Sequence, residues 1–158
     1  APAQQRYVEE MSSRFGIEII GVEEPRKAVV GSDIVVTSGP ILKHPDPTIE
    51  KDWLQPGAFA SAVDFDSYWK PVALAQFDKI CTDDYAQFEY YRSTGYFQTT
   101  PDPYADLGEI VAGLKPGREG DDERTMAMNL GLALEDMAIA PEIYRHAKQK
   151  GLGTWLSL

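Results

Sequence analysis

A chain of 158 residues with 43% hydrophobic residues is long enough to bury a core, so one domain is the starting expectation. Its 25 acidic against 15 basic residues leave a net charge of −10, which argues against nucleic acid and anionic membranes as partners, because both demand clustered Lys and Arg. A lone Cys81 allows no internal disulfide, and His44 and His146 are far apart in sequence, so no metal is expected and a reducing, cytoplasmic setting fits best.

No apolar run approaches the roughly 20 residues of a membrane-spanning helix, and the first residues lack the basic and apolar regions of a secretion signal. They enter helix-forming sequence at once, so the chain is expected to begin within a fold. Val8, Met11 and Phe15 recur at helical spacing, and Gly16 stands where a left-handed cap would close the helix. Ile17 to Val22 is a β-branched run that predicts a strand, Glu24 to Val30 a short helix, and Ser32 to Ser38 a strand around Ile34, Val35 and Val36. Alternation of helices with unbroken apolar strands predicts a parallel sheet covered on both faces.

Gly39 to Pro56 is rich in proline and charge and predicts a loop with at most one helical turn near Trp53. Gly57 to Asp66 (GAFASAVDFD) and Lys79 to Thr82 (KICT) predict two further buried strands, and Tyr85 to Tyr96 an aromatic-rich helix. Asp106 to Ala112 predicts a short helix and Gly113 to Gly120 a turn-rich spacer. Asp121 is read as the cap of a long final helix with the stripe Leu130, Leu134 and Met137, interrupted at Pro141 and ended by Gly151. There is no internal repeat.

In open parallel sheets, ligands sit beyond the carboxyl ends of the strands. Asp64 and Asp66 fall there, and their i, i+2 spacing would point both to one face if the strand continues. Two close carboxylates would raise one pKa toward the range useful for proton transfer. Taken alone, such a pair is more often a cap or simply solvated. Lys70 can pair with Asp66 or reach an anion, though a lone loop lysine is usually solvated. Thr37 and Ser38 close a strand where small hydroxyl residues permit close approach of a ligand, and are equally good turn formers. Asp121, Asp122 and Glu123 read as charges at a helix start. Neither G-x-G-x-x-G nor a P-loop occurs, so the chain carries no phosphate cradle of its own.

The segments DIVVTS (33–38), PGAFASAVDFD (56–66) with Lys70, DLGEIVAGLKPGR (106–118), DDERTMAMNLGLALEDM (121–137) and the closing KGLGTWL resemble the ornithine cyclodeaminase/mu-crystallin family in the right order over nearly the whole chain. The resemblance implies an α/β fold, a partial Rossmann-like parallel sheet with flanking helices and a long C-terminal helix. Residues 1–158 would be the C-terminal portion of an NAD(P)-binding domain, with 121–158 returning toward an N-terminal substrate and dimerisation domain outside this chain. It implies NAD or NADP as cofactor and an amino acid or cyclic imine as substrate. The missing N-terminal half would be a partner, and a homodimer is possible. The activity would be that of an ornithine cyclodeaminase-like lyase, or of an oxidoreductase of amino-acid metabolism that reduces imines or dehydrogenates amino acids.

Carried over position by position, Asp66 is similar to the family's catalytic carboxylate, which exchanges a proton with the substrate nitrogen. Lys70 matches its cofactor-contacting lysine, and Val63, Asp64 and Phe65 the backbone beside the nicotinamide. Thr37, Ser38 and Gly39 match the strand end lining the dinucleotide crevice, Asn129 a cofactor-contacting serine, and Leu130 an apolar substrate contact. Departures stand at Asp64, where glycine is common, at Tyr68-Trp69, where Pro-Gly is common, and at Phe59 in place of a frequent histidine. Asp64 is expected either to obstruct the nicotinamide or to add a second carboxylate that selects another substrate. A non-catalytic, mu-crystallin-like binding protein is the rival reading, and an isolated, inactive fragment a third.

Overall fold

Short runs of two to four residues, flanked by turn formers, build a single parallel sheet in this chain. The computed structural model describes residues 2–156. Its strands are β1 (Ile34–Thr37), β2 (Phe59–Ala62), β3 (Lys79–Thr82), β4 (Ala105–Asp106) and β5 (Thr125–Met128), ordered β1-β2-β5-β3-β4 with every pair parallel. The helices are α1 (Pro2–Phe15), α2 (Pro25–Val29), α3 (Pro71–Leu74), α4 (Tyr85–Ser93), α5 (Leu107–Val111) and α6 (Ala133–Gln149). Proline opens α2 and α3 at a position where its missing N–H costs nothing.

Register assigns the faces. Val35, Ala60, Met126 and Ile80 lie side by side across the sheet, followed by Thr37, Ala62, Met128 and Thr82. The aliphatic and alanine members of these rows are buried in the core with Leu74, Phe88, Phe97 and Trp69. The opposite face lies beside Leu107 and Ile110 at β3 and β5 but is open over β1, where Ile34 is 65% and Val36 60% exposed. The expected covering of both faces is therefore met on one side and only partly on the other.

Two sequence expectations are corrected. Ile17 to Val22 forms no strand, and Ile20 is 72% exposed. A strand exists only on a ladder, and this segment pairs with none of the five strands, leaving the outer edge of β1 without a neighbour. Gln4 of α1 instead donates to its Val22 carbonyl over 2.7 Å. The second correction concerns the final helix, which begins at Ala133 rather than near Asp121. Thr125–Met128 is the central strand β5, whose Met126 and Met128 are buried. In Thr-Met-Ala-Met only Thr125 is β-branched, and its place between β2 and β3 overrides local preference. Asp121 to Glu123 accordingly serve a turn: the Asp122 carbonyl accepts from Gly57 N, and the Glu123 carboxylate stands 3.5 Å from Lys79 Nζ. Pro141 is absorbed within α6, which runs unbroken to Gln149, and Gly151 follows at φ 63°.

Candidate functional site at the carboxyl edge of the sheet

Parallel strands bring all their carboxyl ends to one edge, and there the β2 strand stops at Ala62 and the chain turns sharply. Phe65 occupies the left-handed region at φ 61°, a conformation that typically costs about 1 kcal/mol or more for a non-glycine residue. Its ring offsets that cost by burial among Tyr91, Tyr96 and Phe97, at centroid distances of 4.9, 5.6 and 4.8 Å. Phe97 in turn stacks on Phe88 of α4 at 4.4 Å. This aromatic cluster ties the turn after β2 to α4 and to the loop that follows it.

Because the chain turns, Asp64 and Asp66 diverge, and the expectation of two carboxylates on one face is corrected. The Asp64 side chain is fully buried; Oδ1 accepts from Thr37 Oγ1 at 2.6 Å and Oδ2 from Gly39 N at 2.8 Å. Trp69 Nε1 donates to the same Thr37 hydroxyl over 3.1 Å. Asp64 therefore clamps the β1 tip to the β2 tip, with both carboxylate oxygens engaged, and does not stand as a second free carboxylate.

Asp66 is the carboxyl group that faces space. Thr100 Oγ1 donates to its Oδ2 over 2.8 Å in a buried setting, while the residue lines a cavity of about 580 Å³ together with Lys43, His44, Trp69, Phe97 and Gln98. Burial pushes the Asp66 carboxyl above the ordinary carboxylate range, and the neighbouring Asp64 adds to the rise; the Thr100 hydroxyl and a local backbone N–H oppose it. A carboxyl group held by one oxygen and elevated in this way is suited to taking up and returning a proton.

The remaining expected residues are distributed along the same edge without sharing that cavity. Thr37 is half-buried in the Asp64 clamp, Ser38 and Gly39 are exposed, and Val63 is 50% exposed, whereas Phe65 is buried. A Cβ on Gly39 would collide with the Tyr68 hydroxyl, which explains glycine there. Lys70 pairs with Glu50 at 2.5 Å rather than with Asp66. Asn129 Nδ2 donates to Ser61 Oγ over 3.0 Å, and Leu130 packs against the core. Sequence reasoning missed Thr100, Lys43 and His44, all remote from Asp66 along the chain. It also missed Asp83, whose Oδ2 accepts from the backbone N–H of Leu130 and Gly131 at 2.8 and 2.7 Å and fixes the turn after β5. Burial pushes the Cys81 thiol up, which disfavours thiolate chemistry at that residue. Among the described residues, no helix is long and apolar enough to cross a membrane.

A parallel five-stranded sheet with flanking helices, whose strand tips gather polar side chains beside a cavity, is a Rossmann-like α/β arrangement. The chain belongs to the ornithine cyclodeaminase/mu-crystallin family, whose model matches residues 2–151. It is 36% identical over 149 residues to the N-((2S)-2-amino-2-carboxyethyl)-L-glutamate dehydrogenase of Staphylococcus aureus, covering 90% of this chain and 43% of that protein. It is 28% identical over 167 residues to a delta(1)-pyrroline-2-carboxylate reductase of Bacillus cereus, covering 97% and 48%. The fold is shared with the iminosuccinate reductase of Paracoccus denitrificans, solved in complex with NAD+, at a TM-score of 0.72 and 23% identity over 100% of this chain and 50% of that one. The chain thus spans about half the length of these relatives.

Proposed function

We propose that this chain forms the cofactor-side portion of an NAD(P)-dependent enzyme that oxidises an amino acid or reduces an imine at Cα, with Asp66 exchanging the proton. The observation that carries the reading is Asp66 itself, buried at a strand tip, held by Thr100 and lining a cavity. The relatives' activities, on amino acids and imines, support the same class.

The residues present fit a dinucleotide at the carboxyl edge. Ser38, Gly39 and Val63 are open to solvent beside the clamp that Asp64 makes, so they would border it, with Asn129 on the next strand but half-buried. Lys70 would reach it only by leaving Glu50. When bound, NAD(P) supplies hydride acceptance and donation. Asp66 takes the proton from the substrate nitrogen during oxidation and returns it during imine reduction, and Trp69 and Phe97 supply apolar wall to the same cavity.

A second stretch of polypeptide packs on this chain in the proposed enzyme. None of the residues of α6 is buried; Leu134, Met137, Ile139 and Ile143 are 60–74% exposed, and Ile34 and Val36 are open on the sheet. An uncovered apolar surface of that extent is unusual for a finished domain. The test is the full-length gene product, assayed for NAD(P)H formation with amino acids, NAD(P)H oxidation with imines, and ammonia release. Turnover lost in Asp66→Asn with cofactor affinity retained is the expected result. Undiminished turnover in that variant would overturn the role of Asp66, and cofactor binding without turnover of any substrate would favour a mu-crystallin-like binding protein.

A further inference from the structure

The carboxyl group proposed to carry the proton and the hydroxyl that holds it come from two loops, 34 positions apart in the chain. Both loops are built on an unusual backbone. Among the described residues three non-glycine positions lie in the left-handed region, and two of them stand here: Phe65 at φ 61°, directly before Asp66, and Phe97 at φ 53°, three positions before Thr100. A bulky residue seldom adopts such a φ, and the conformation persists only where its surroundings fix it. A turn closes at each. Ser67 N donates to the Asp64 carbonyl around Phe65 and Asp66, and Thr100 N donates to the Phe97 carbonyl, both over 3.3 Å. The two phenylalanines fix one another. Their rings, 3% and 1% exposed, pack with centroids 4.8 Å apart and planes at 34°. The helix α4 backs the Thr100 side: Phe88 stacks on Phe97, and Arg92 Nη2 donates to the Thr100 carbonyl over 2.9 Å.

We propose that Phe65 and Phe97 are positioning residues: their packed rings join the two turns and thereby set the Asp66 carboxyl against the Thr100 hydroxyl at the cavity wall. The role of Asp66 itself rests on the reading given above. Phe65 is the cleaner of the pair to perturb, because its ring lies among Tyr91, Tyr96 and Phe97, whereas Phe97 also lines the cavity. Loosening the turns removes two influences on Asp66 that have opposite signs. Burial, the larger, holds its carboxyl up and the Thr100 bond holds it down, so losing both lowers the titration midpoint. That is the reverse of losing the Thr100 hydroxyl alone. The other titratable groups set toward Asp66 are Asp64 at the start of its own turn and Lys43 and His44 on the β1–β2 loop, and substitution of Phe65 removes none of them.

The experiment uses the full-length gene product at saturating cofactor. Phe65→Leu keeps a buried apolar side chain and removes the ring; it is expected to lower kcat about ten- to a hundredfold with KM changed far less, and to bring the Asp66 midpoint in a 13C carboxyl titration down toward the ordinary carboxylate range. Ile80→Ala, a core loss on β3, controls for destabilisation: it should weaken the fold in urea and leave the Asp66 titration where it is. A midpoint that stays put or rises in Phe65→Leu, or that falls as far in Ile80→Ala, overturns the proposal. So does a Phe65→Gly protein that keeps wild-type kcat and midpoint, since glycine adopts this φ readily and the backbone alone would then set the turn. Amide hydrogen exchange at the two turn-closing donors reads the joint directly. Ser67 and Thr100 should be protected alike in wild type, and Phe97→Leu should weaken protection at Ser67, on the other loop, as well as at Thr100. Free exchange at either donor in wild type, or protection at Ser67 untouched by Phe97→Leu, sinks the proposal, and the wild-type measurement decides even if a Phe65 variant fails to fold. Undiminished turnover in Asp66→Asn would remove the catalytic reading alone, because the titration and the exchange still report whether the rings position that carboxyl.

Discussion

Replacing Thr100 by valine removes one hydroxyl while leaving the side chain's shape nearly unchanged, and the geometry predicts the consequence for Asp66. Thr100 Oγ1 donates to Asp66 Oδ2 over 2.8 Å, with both residues buried. A hydrogen bond to a charged group contributes about 1.5–3 kcal/mol and one between neutral groups about 0.5–1.5 kcal/mol. The bond therefore favours the ionised carboxylate over the neutral acid by roughly 1 kcal/mol, and at about 1.4 kcal/mol per pKa unit its loss raises the Asp66 pKa by somewhat under one unit. That rise adds to the elevation burial already causes, because Thr100 acts in the opposite sense. The assay is a 13C carboxyl NMR titration of wild type, Thr100→Val and Thr100→Ser, paired with the pH dependence of turnover in the full-length gene product. Valine should move the Asp66 midpoint and the acidic limb of the profile upward, and serine should restore both. A midpoint that stays put or falls in Thr100→Val, or one that serine shifts as far as valine does, would refute the reasoning.

Three further outcomes follow from the same geometry. Asp64→Gly orphans the Thr37 hydroxyl and the Gly39 amide, so it should cost about 1–3 kcal/mol in urea denaturation; a neutral or stabilising result would show that the clamp between β1 and β2 is not formed. Because the folded-state pKa of Asp66 lies above its unfolded value, its penalty on folding is absent below the ordinary carboxylate range and grows as pH rises through the folded-state pKa. Stability measured across that window should decline in wild type and stay flatter in Asp66→Asn, and parallel curves would contradict the elevation. Phe88→Ala removes a fully buried ring stacked on Phe97 and should lower stability by about 3–5 kcal/mol; a loss below about 1 kcal/mol would mean that α4 does not pack as described.

How much of this was legible in the sequence depends on how local each cause is. Ile34 to Val36 and Ile80 to Thr82 announce their strands because burial of an apolar run suffices to make one. Thr125 to Met128 hides its strand, since only neighbours on both sides make that segment extended, and it adjoins a helical stripe that captures the eye. Ile17 to Val22 fails for the converse reason: its composition suits a strand, but pairing needs a neighbour that composition does not report. At the proposed site, Asp66 is singled out by its place beyond a strand end and by resemblance. Its partner Thr100 stands 34 positions along the chain, joined to it through the fold, and no spacing rule reaches it.

Asp64 shows why a departure from a family's common pattern is weak grounds for inferring a lost site. The resemblance places a glycine at this position, and an added side chain beside a nicotinamide looks like an obstruction. The chain turns at Phe65, however, and the added carboxylate points inward, where Thr37 and Gly39 satisfy both of its oxygens. Trp69, another departure, completes the arrangement by donating to the same threonine. Two of the unexpected residues therefore support each other. They stiffen the junction of β1 and β2 and leave Asp66 free to face the cavity, where the chemistry is proposed to occur. In urea denaturation, the losses from substituting each toward the common pattern should sum to more than the loss in the double variant, because both remove partners of the same threonine hydroxyl; strictly additive losses would show that the two contacts act independently.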